Sequence, residues 1–161
     1  MTGIVAQINV KPQSFGRPSL PKQPILTGSV RTHGLTLDYN HYRETEKGGD
    51  PARALLIFPN EMINTLNKEG WLMKPGDLGE NITTAGIEYK AFAPGKKYMA
   101  GEIVFEITEK CNPCSNLAAL WYVGEDRLKK FIETLKNRRG WYARVLKEGT
   151  IKEGDTVQEI E

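Results

Sequence analysis

The sequence predicts a mainly β protein, a closed or nearly closed β-barrel with two or three short helices. Three observations support this. Apolar, β-branched runs of strand length recur along the chain, at residues 3–10, 53–58, 81–84 and 141–146. Glycine, proline and polar clusters separate such runs at short intervals. Sustained helical periodicity is confined to a few stretches, and closure is how many short strands avoid exposed edges. At 161 residues and 18.1 kDa the chain fits one domain, 1–161, large enough to bury a core without cross-links.

In chain order, residues 3–10 alternate around Ile4, Val5, Ile8 and Val10 and read as the first strand. KPQSFGRPSLPKQP holds four prolines and is expected to cross the surface as an extended loop, where it can also line a site. SVRT and GLTLDYN have strand length. After the polar ETEKGGDPA, the apolar RALLIF reads as a buried strand ended by Pro59. Asn60 is placed to cap a helix from residue 61 to about 69, with Met62, Ile63 and Leu66 on one side and Gly70 as its stop. Residues 81–84 read as another strand, and AFAPGKKYMAGEIVFEITEK, punctuated by Gly95 and Gly101, as a hairpin. The strongest helical period lies at 126–138, where Leu128, Phe131, Ile132 and Leu135 recur at i, i+3, i+4 and i+7. WYARVL and residues 156–160, joined by the turn-rich KEGTIKEGD, are expected to form a terminal hairpin. A short echo, GEIVFEI and GDTVQEI, marks two strands of one type.

A formal net charge of +2, with basic residues spread along the chain, argues against nucleic acid as a partner. No run approaches the ~20 apolar residues of a membrane span, and MTGIVAQINVKP lacks the pattern of a signal peptide. The expectation is a cytoplasmic protein without a membrane partner.

Both cysteines lie in KCNPCSNL, as Cys111 and Cys114. In a reducing compartment, thiols at this spacing are more often reactive or metal-bound than bridged. The two histidines, His33 and His41, lie far upstream and at the wrong spacing for a zinc finger. A thioredoxin-like reading requires a βαβ context that the surrounding strand-rich sequence does not supply. Ser115 or Asn116 can cap a short helix through LAALWY, which places Cys114 just before a helix N-terminus, where the dipole favours thiolate. Pro113 pushes Asn112 toward extended backbone, so the two sulfurs are treated differently. Cys114 is the reactive candidate; Cys111 is a packed neighbour or a resolving thiol. Upstream, KPGDLGENITTAGI brackets Asn81, Thr83 and Thr84 with glycines, an inventory that suits a phosphate or polar ring and equally suits ordinary turns.

Gly34-Leu35 with Asp38 and His41, Arg53-Ala54-Leu55, GDLGENITTAGI, MAGEIVFEIT followed by Pro113-Cys114, and GWYARVLKEGTIKEGD follow one another along nearly the whole chain. This order resembles the MOSC domain, the family named from the C-terminal domain of molybdenum cofactor sulfurase, and in particular its small free-standing bacterial members. The resemblance implies a β-barrel of the MOSC type that binds the pterin-based molybdenum cofactor. Cys114, the cysteine after proline, would be the molybdenum ligand or a persulfide carrier. A soft thiolate suits a metal already held by dithiolene sulfurs. Asn81, Thr83 and Thr84 would donate to phosphate and pterin, with Lys11 and Arg53 supplying positive charge. His41 fits the pattern loosely: where members often show Gly-Asp-Arg-His, this chain has Leu37-Asp38-Tyr39-Asn40-His41, without the arginine and with the histidine displaced by one. Lys11 is followed by Pro12 rather than the serine of the reductase branch. Two functions follow. One is reduction of an oxidised, for example N-hydroxylated, small molecule with electrons from a separate donor protein, since no flavin or iron–sulfur motif is present. The other is carriage of cofactor, or of Cys114 persulfide sulfur, to an acceptor protein during cofactor maturation.

Overall fold

A computed structural model describes residues 1–12 and 17–161. Among them the chain forms β1 (Thr2–Val10), β2 (Gln23–Ile25), β3 (Thr27–Arg31), β4 (Gly34–Leu35), α1 (His41–Glu46), β5 (Leu55–Pro59), α2 (Asn60–Lys68), β6 (Ile82–Ala85), β7 (Lys97–Ala100) and β8 (Ile103–Lys110). α3 (Gly124–Leu135), β9 (Trp141–Lys147), β10 (Gly149–Lys152) and β11 (Thr156–Ile160) complete the order.

Seven strands close into a barrel in the order β1-β6-β5-β9-β8-β7-β11, with β11 pairing back onto β1. The length of β1 makes closure possible. Its start, Thr2 to Ile4, pairs with β11, while its end, Ile8 to Val10, carries β2 on the same side. The pair β5–β6 is parallel and the other barrel pairs are antiparallel, so the sheet is mixed. The parallel pair requires a crossover, which α2 supplies. β5 is apolar throughout because both its faces are covered. Leu55 and Ile57 enter the barrel core beside Ile8, Ile82, Phe105 and Val157. Phe58 faces outward into a second core, formed with Ile63 and Leu66 of α2 and Phe131 and Leu135 of α3. Trp71 packs on Phe131 at 4.4 Å between ring centroids, with the Arg127 guanidinium 4.4 Å from the centre of the Trp71 ring. A small sheet, β10-β3-β4, stands beside the barrel.

The expected barrel is present, with differences of detail that have local causes. The GLTLDYN strand ends after Leu35, because Leu37 takes a left-handed φ of 67° that turns the chain. The polar stretch beyond it contains α1, started by Asn40, whose Oδ1 accepts from the Arg43 N–H at 3.0 Å. Pro59, not Asn60, is the cap of α2, and it makes no side-chain capping bond. The second long helix begins two residues earlier than its apolar period and stops at Leu135, with Asn137 left-handed at φ 63°. The terminal hairpin does not form. β10 intervenes and pairs with β3, while β9 and β11 join different barrel neighbours. The echoed sequences fall in β8 and β11, the two strands that flank β7.

Candidate functional site

Sheet register builds the floor of the main cleft. Glu109 of β8 lies opposite Tyr142 of β9, which in turn lies opposite Leu56 of β5. Side chains alternate across a strand, so this row faces outward while Ile57 and Trp141, one position along, point into the barrel. The resulting cleft holds about 280 Å³, and Arg53, Leu78, Lys110, Cys114 and Arg139 also line it. Leu20 and Leu78 join it to the second core.

The two cysteines sit on one edge in unlike settings. Cys111 is 4% exposed and packs with Leu56 and Tyr142. Its N–H donates to the Gly140 carbonyl at 2.9 Å, which ties the thiol loop to the start of β9. Gly140 has φ 115°, and a Cβ there would stand 3.0 Å from the Ile57 carbonyl oxygen, so the close approach requires glycine. Cys114 is exposed and extended, immediately before a five-residue 3-10 helix, Ser115–Ala119. Leu117, fully buried in the helical core, anchors that turn and holds Cys114 at the rim. Both thiols are free. Alkylation of the native protein is therefore expected at Cys114, with Cys111 reacting only after denaturation; peptide mass spectrometry reads the difference.

Opposite the thiol loop, the GDLGEN turn is held by its own side chains. The Gly76 N–H and the Thr83 hydroxyl donate to Glu80 Oε1 at 2.7 and 3.0 Å. Gly76 has φ 94°, and a Cβ there would lie 2.5 Å from the Lys22 carbonyl oxygen. The Tyr122 hydroxyl and the Lys74 N–H donate to Asp77 Oδ2 at 3.0 and 3.1 Å. Burial pushes the carboxyls of Asp77 and Glu80 above the ordinary range and the Tyr122 phenol well above its own. Glu80 Oε2 has no partner among the described residues.

A raised carboxyl pKa in the folded state means that the native protein binds the proton more tightly than the unfolded chain. The stability contributed by Glu80 is therefore full below its ordinary value of 4.5 and is lost as pH rises through the elevated one. Glu80→Gln preserves an oxygen for Gly76 and Thr83, and should remove a slope of up to about 1.4 kcal/mol per pH unit from the stability profile. Denaturant midpoints measured from acid to alkaline pH test this; unchanged slopes would refute it.

The MOSC domain family model matches residues 44–158. The chain belongs to the MOSC domain family. A protein named "Reductase" from Gibberella moniliformis (strain M3125 / FGSC 7600) is 34% identical over 87 residues, which cover 53% of this chain and 15% of that protein. The uncharacterized protein YflK of Bacillus subtilis (strain 168) is 29% identical over 129 residues, covering 73% of this chain and 56% of YflK. This MOSC domain thus spans well under two thirds of either relative. Among solved structures, YuaD of Bacillus subtilis has a TM-score of 0.79 at 15% identity, covering 98% of this chain and 94% of YuaD. YiiM of Geobacillus stearothermophilus has a TM-score of 0.72 at 24% identity, covering 99% of this chain and 75% of that one. At these identities the structural matches establish the shared barrel.

Of the residues singled out in the sequence, the MOSC cleft brings together Cys114, Arg53 and Cys111. Arg53 is already engaged: Nη1 meets Asp50 at 2.6 Å, Nη2 pairs with Glu109, and the guanidinium lies 5.7 Å from the Tyr142 ring centre. Asn81 is buried, with Oδ1 accepting from the Leu56 N–H at 3.0 Å and Nδ2 donating to Asp38 at 2.8 Å. Thr83 is buried against Glu80 and Asn9, and buried Thr84 has an unpartnered hydroxyl. None of these three is part of the cleft lining. Lys11 Nζ donates to the Leu20 carbonyl at 3.2 Å, beside the lining. His41 begins α1, and its side chain lies outside the described residues. Sequence reasoning missed Arg139, Lys110 and Tyr142. Tyr142 is placed by its register with Leu56 and Glu109, Lys110 by its pairing with Trp141, and Arg139 by the Cys111–Gly140 backbone bond beside it, all of them properties of the folded chain. No helix among the described residues is long and apolar enough to cross a membrane.

Proposed function

We propose that this MOSC domain binds the pterin-based molybdenum cofactor in the cleft, with Cys114 as its molybdenum ligand, and uses it to reduce an oxidised, N-hydroxylated type of small molecule. The observation that carries this reading is an exposed thiol at the rim of a cleft whose lining also holds three cations, Arg53, Lys110 and Arg139. The donor set fits. One soft sulfur suits a metal that arrives with its other ligands, and the cations suit its anionic phosphate. When bound, the cofactor supplies a redox-active metal for two-electron chemistry. The chain's own residues do the rest. Cys114 holds the metal, Leu56, Leu78 and Tyr142 supply an apolar floor that limits water, and Asn81 and Thr83 stiffen the wall behind it. Electrons come from a separate donor protein. The relative named "Reductase" supports this class of chemistry.

A second reading, in which the domain carries cofactor or Cys114 persulfide sulfur to an acceptor protein, is supported by the exposure of Cys114 at the cleft rim. Metal and phosphorus analysis of protein from a cofactor-producing host tests the first reading. A mass increase of about 32 Da on Cys114 without molybdenum would favour the second, as the increment of one sulfur.

A further inference from the structure

Arg139 is the unexplained cation of the cleft. It is 5% exposed, yet its Nε and Nη1 have no hydrogen-bond partner among the described residues. The neighbouring cations are satisfied. Lys22 pairs with Asp38; Arg43 reaches Glu44 and the carbonyls of Arg53 and Ala54; Arg53 holds Asp50 and Glu109. A guanidinium withdrawn from water with two of its nitrogens unpartnered is costly, so its retention calls for a group that completes it. Glu80 is close enough to feel its charge, but Glu80 Oε2 and the two Arg139 nitrogens all lack partners, so they are not bonded to one another. Gly140, the next residue, anchors this segment to Cys111 through its carbonyl, which fixes Arg139 on the wall that carries the thiol loop. The only carboxylate among the described cleft residues, Glu109, is already paired with Arg53.

We propose that Arg139 is the seat for an oxyanion of the phosphate class within the cleft. A planar guanidinium presents a fork that matches two oxygens of such a group, and burial strengthens the pairing. The anion has two possible sources, the phosphate of the cofactor or an anionic group on the small-molecule substrate. The first source rests on the cofactor reading above; the second requires only that the cleft takes a ligand.

The test uses cofactor-free full-length protein and inorganic phosphate, by calorimetric titration at constant ionic strength. Wild type is expected to bind phosphate saturably, and phosphate should slow alkylation of Cys114. Arg139→Gln should weaken binding about tenfold or more, the scale of a lost charge-assisted bond. Arg139→Lys, which retains the charge without the fork, should fall between. Absence of saturable binding to wild type overturns the proposal without recourse to a variant. Equal affinity in a folded Arg139→Gln protein overturns it too, and assigns the guanidinium to Glu80 through bridging water. Molybdenum content of the same variants made in a cofactor-producing host then separates the sources. Loss of both phosphate and molybdenum points to the cofactor, and loss of phosphate binding alone points to substrate. If Cys114→Ala retains full molybdenum while phosphate binding still depends on Arg139, the ligation reading fails and the anion seat stands.

Discussion

Cys114→Ala protein from a host that makes the molybdenum cofactor is expected to carry at least about tenfold less molybdenum than wild type, since loss even of groups that merely support metal ligands weakens metal sites by that much. The expectation depends on placement. Cys114 is exposed at the cleft rim, held there by a turn anchored on Leu117, whereas Cys111 is packed beneath it with Leu56 and Tyr142. Cys111→Ala is the matched control. It removes an equal amount of sulfur and should retain its molybdenum, with a stability loss of about 1 kcal/mol, typical of a modest buried truncation. Undiminished molybdenum in Cys114→Ala would eliminate direct ligation. Equal losses in both variants would mean that the loop's packing, and not the exposed thiol, governs binding.

Asp38→Ala should produce the largest loss of stability of any substitution near the site, about 3–5 kcal/mol, the scale for stranding one member of a buried ion pair. Lys22 Nζ and Asp38 Oδ2 are 2.6 Å apart, and their side chains are 1% and 4% exposed. The same carboxylate accepts the Lys11 N–H at 2.9 Å and the Asn81 amide at 2.8 Å. Asn81 then bonds both backbone groups of Leu56, in the strand that forms the cleft floor. Removing Asp38 therefore leaves a buried ammonium and detaches the proline-rich loop from β5. The double variant Lys22→Met with Asp38→Asn should recover much of the loss, because it strands no charge. Urea midpoints report the sign and size of each change.

The pH dependence supplies a second readout. Burial lowers the Lys22 pKa from its ordinary 10.5, with Asp38 opposing that effect. A lysine whose folded value is depressed binds its proton less tightly when folded. Its contribution is full above the ordinary range and is lost as pH falls through the lowered value. Without Asp38 the opposition is gone, so the variant's stability should rise with pH over a wider range than that of wild type.

The barrel was legible because strand length, β-branching and glycine punctuation are local properties, and β1, β5, β8 and β11 all fall where those signals lie. α2 and α3 were legible for the same reason, through apolar periods that face one core. Pairing was not. β10, with the sequence GTIK, looks like turn material until β3 offers it partners, and that pairing separates β9 from β11. The glycine-bracketed block shows the limit most clearly. Asn81 and Thr83 are the residue types that a polar ligand requires, but their hydrogen bonds go to Leu56, Asp38, Asn9 and Glu80.

By itself the sequence determined the strand pattern, the MOSC resemblance and the unequal status of two cysteines separated by a proline. Only the tertiary structure decided which polar groups are consumed inside the wall and which are left without a partner among the described residues. The reason is physical. A buried polar group must find its partners, and those of Asn81 lie 25, 43 and 72 residues away in the chain. Arg139 stands out because folding brought it into the cleft and left two of its nitrogens without any.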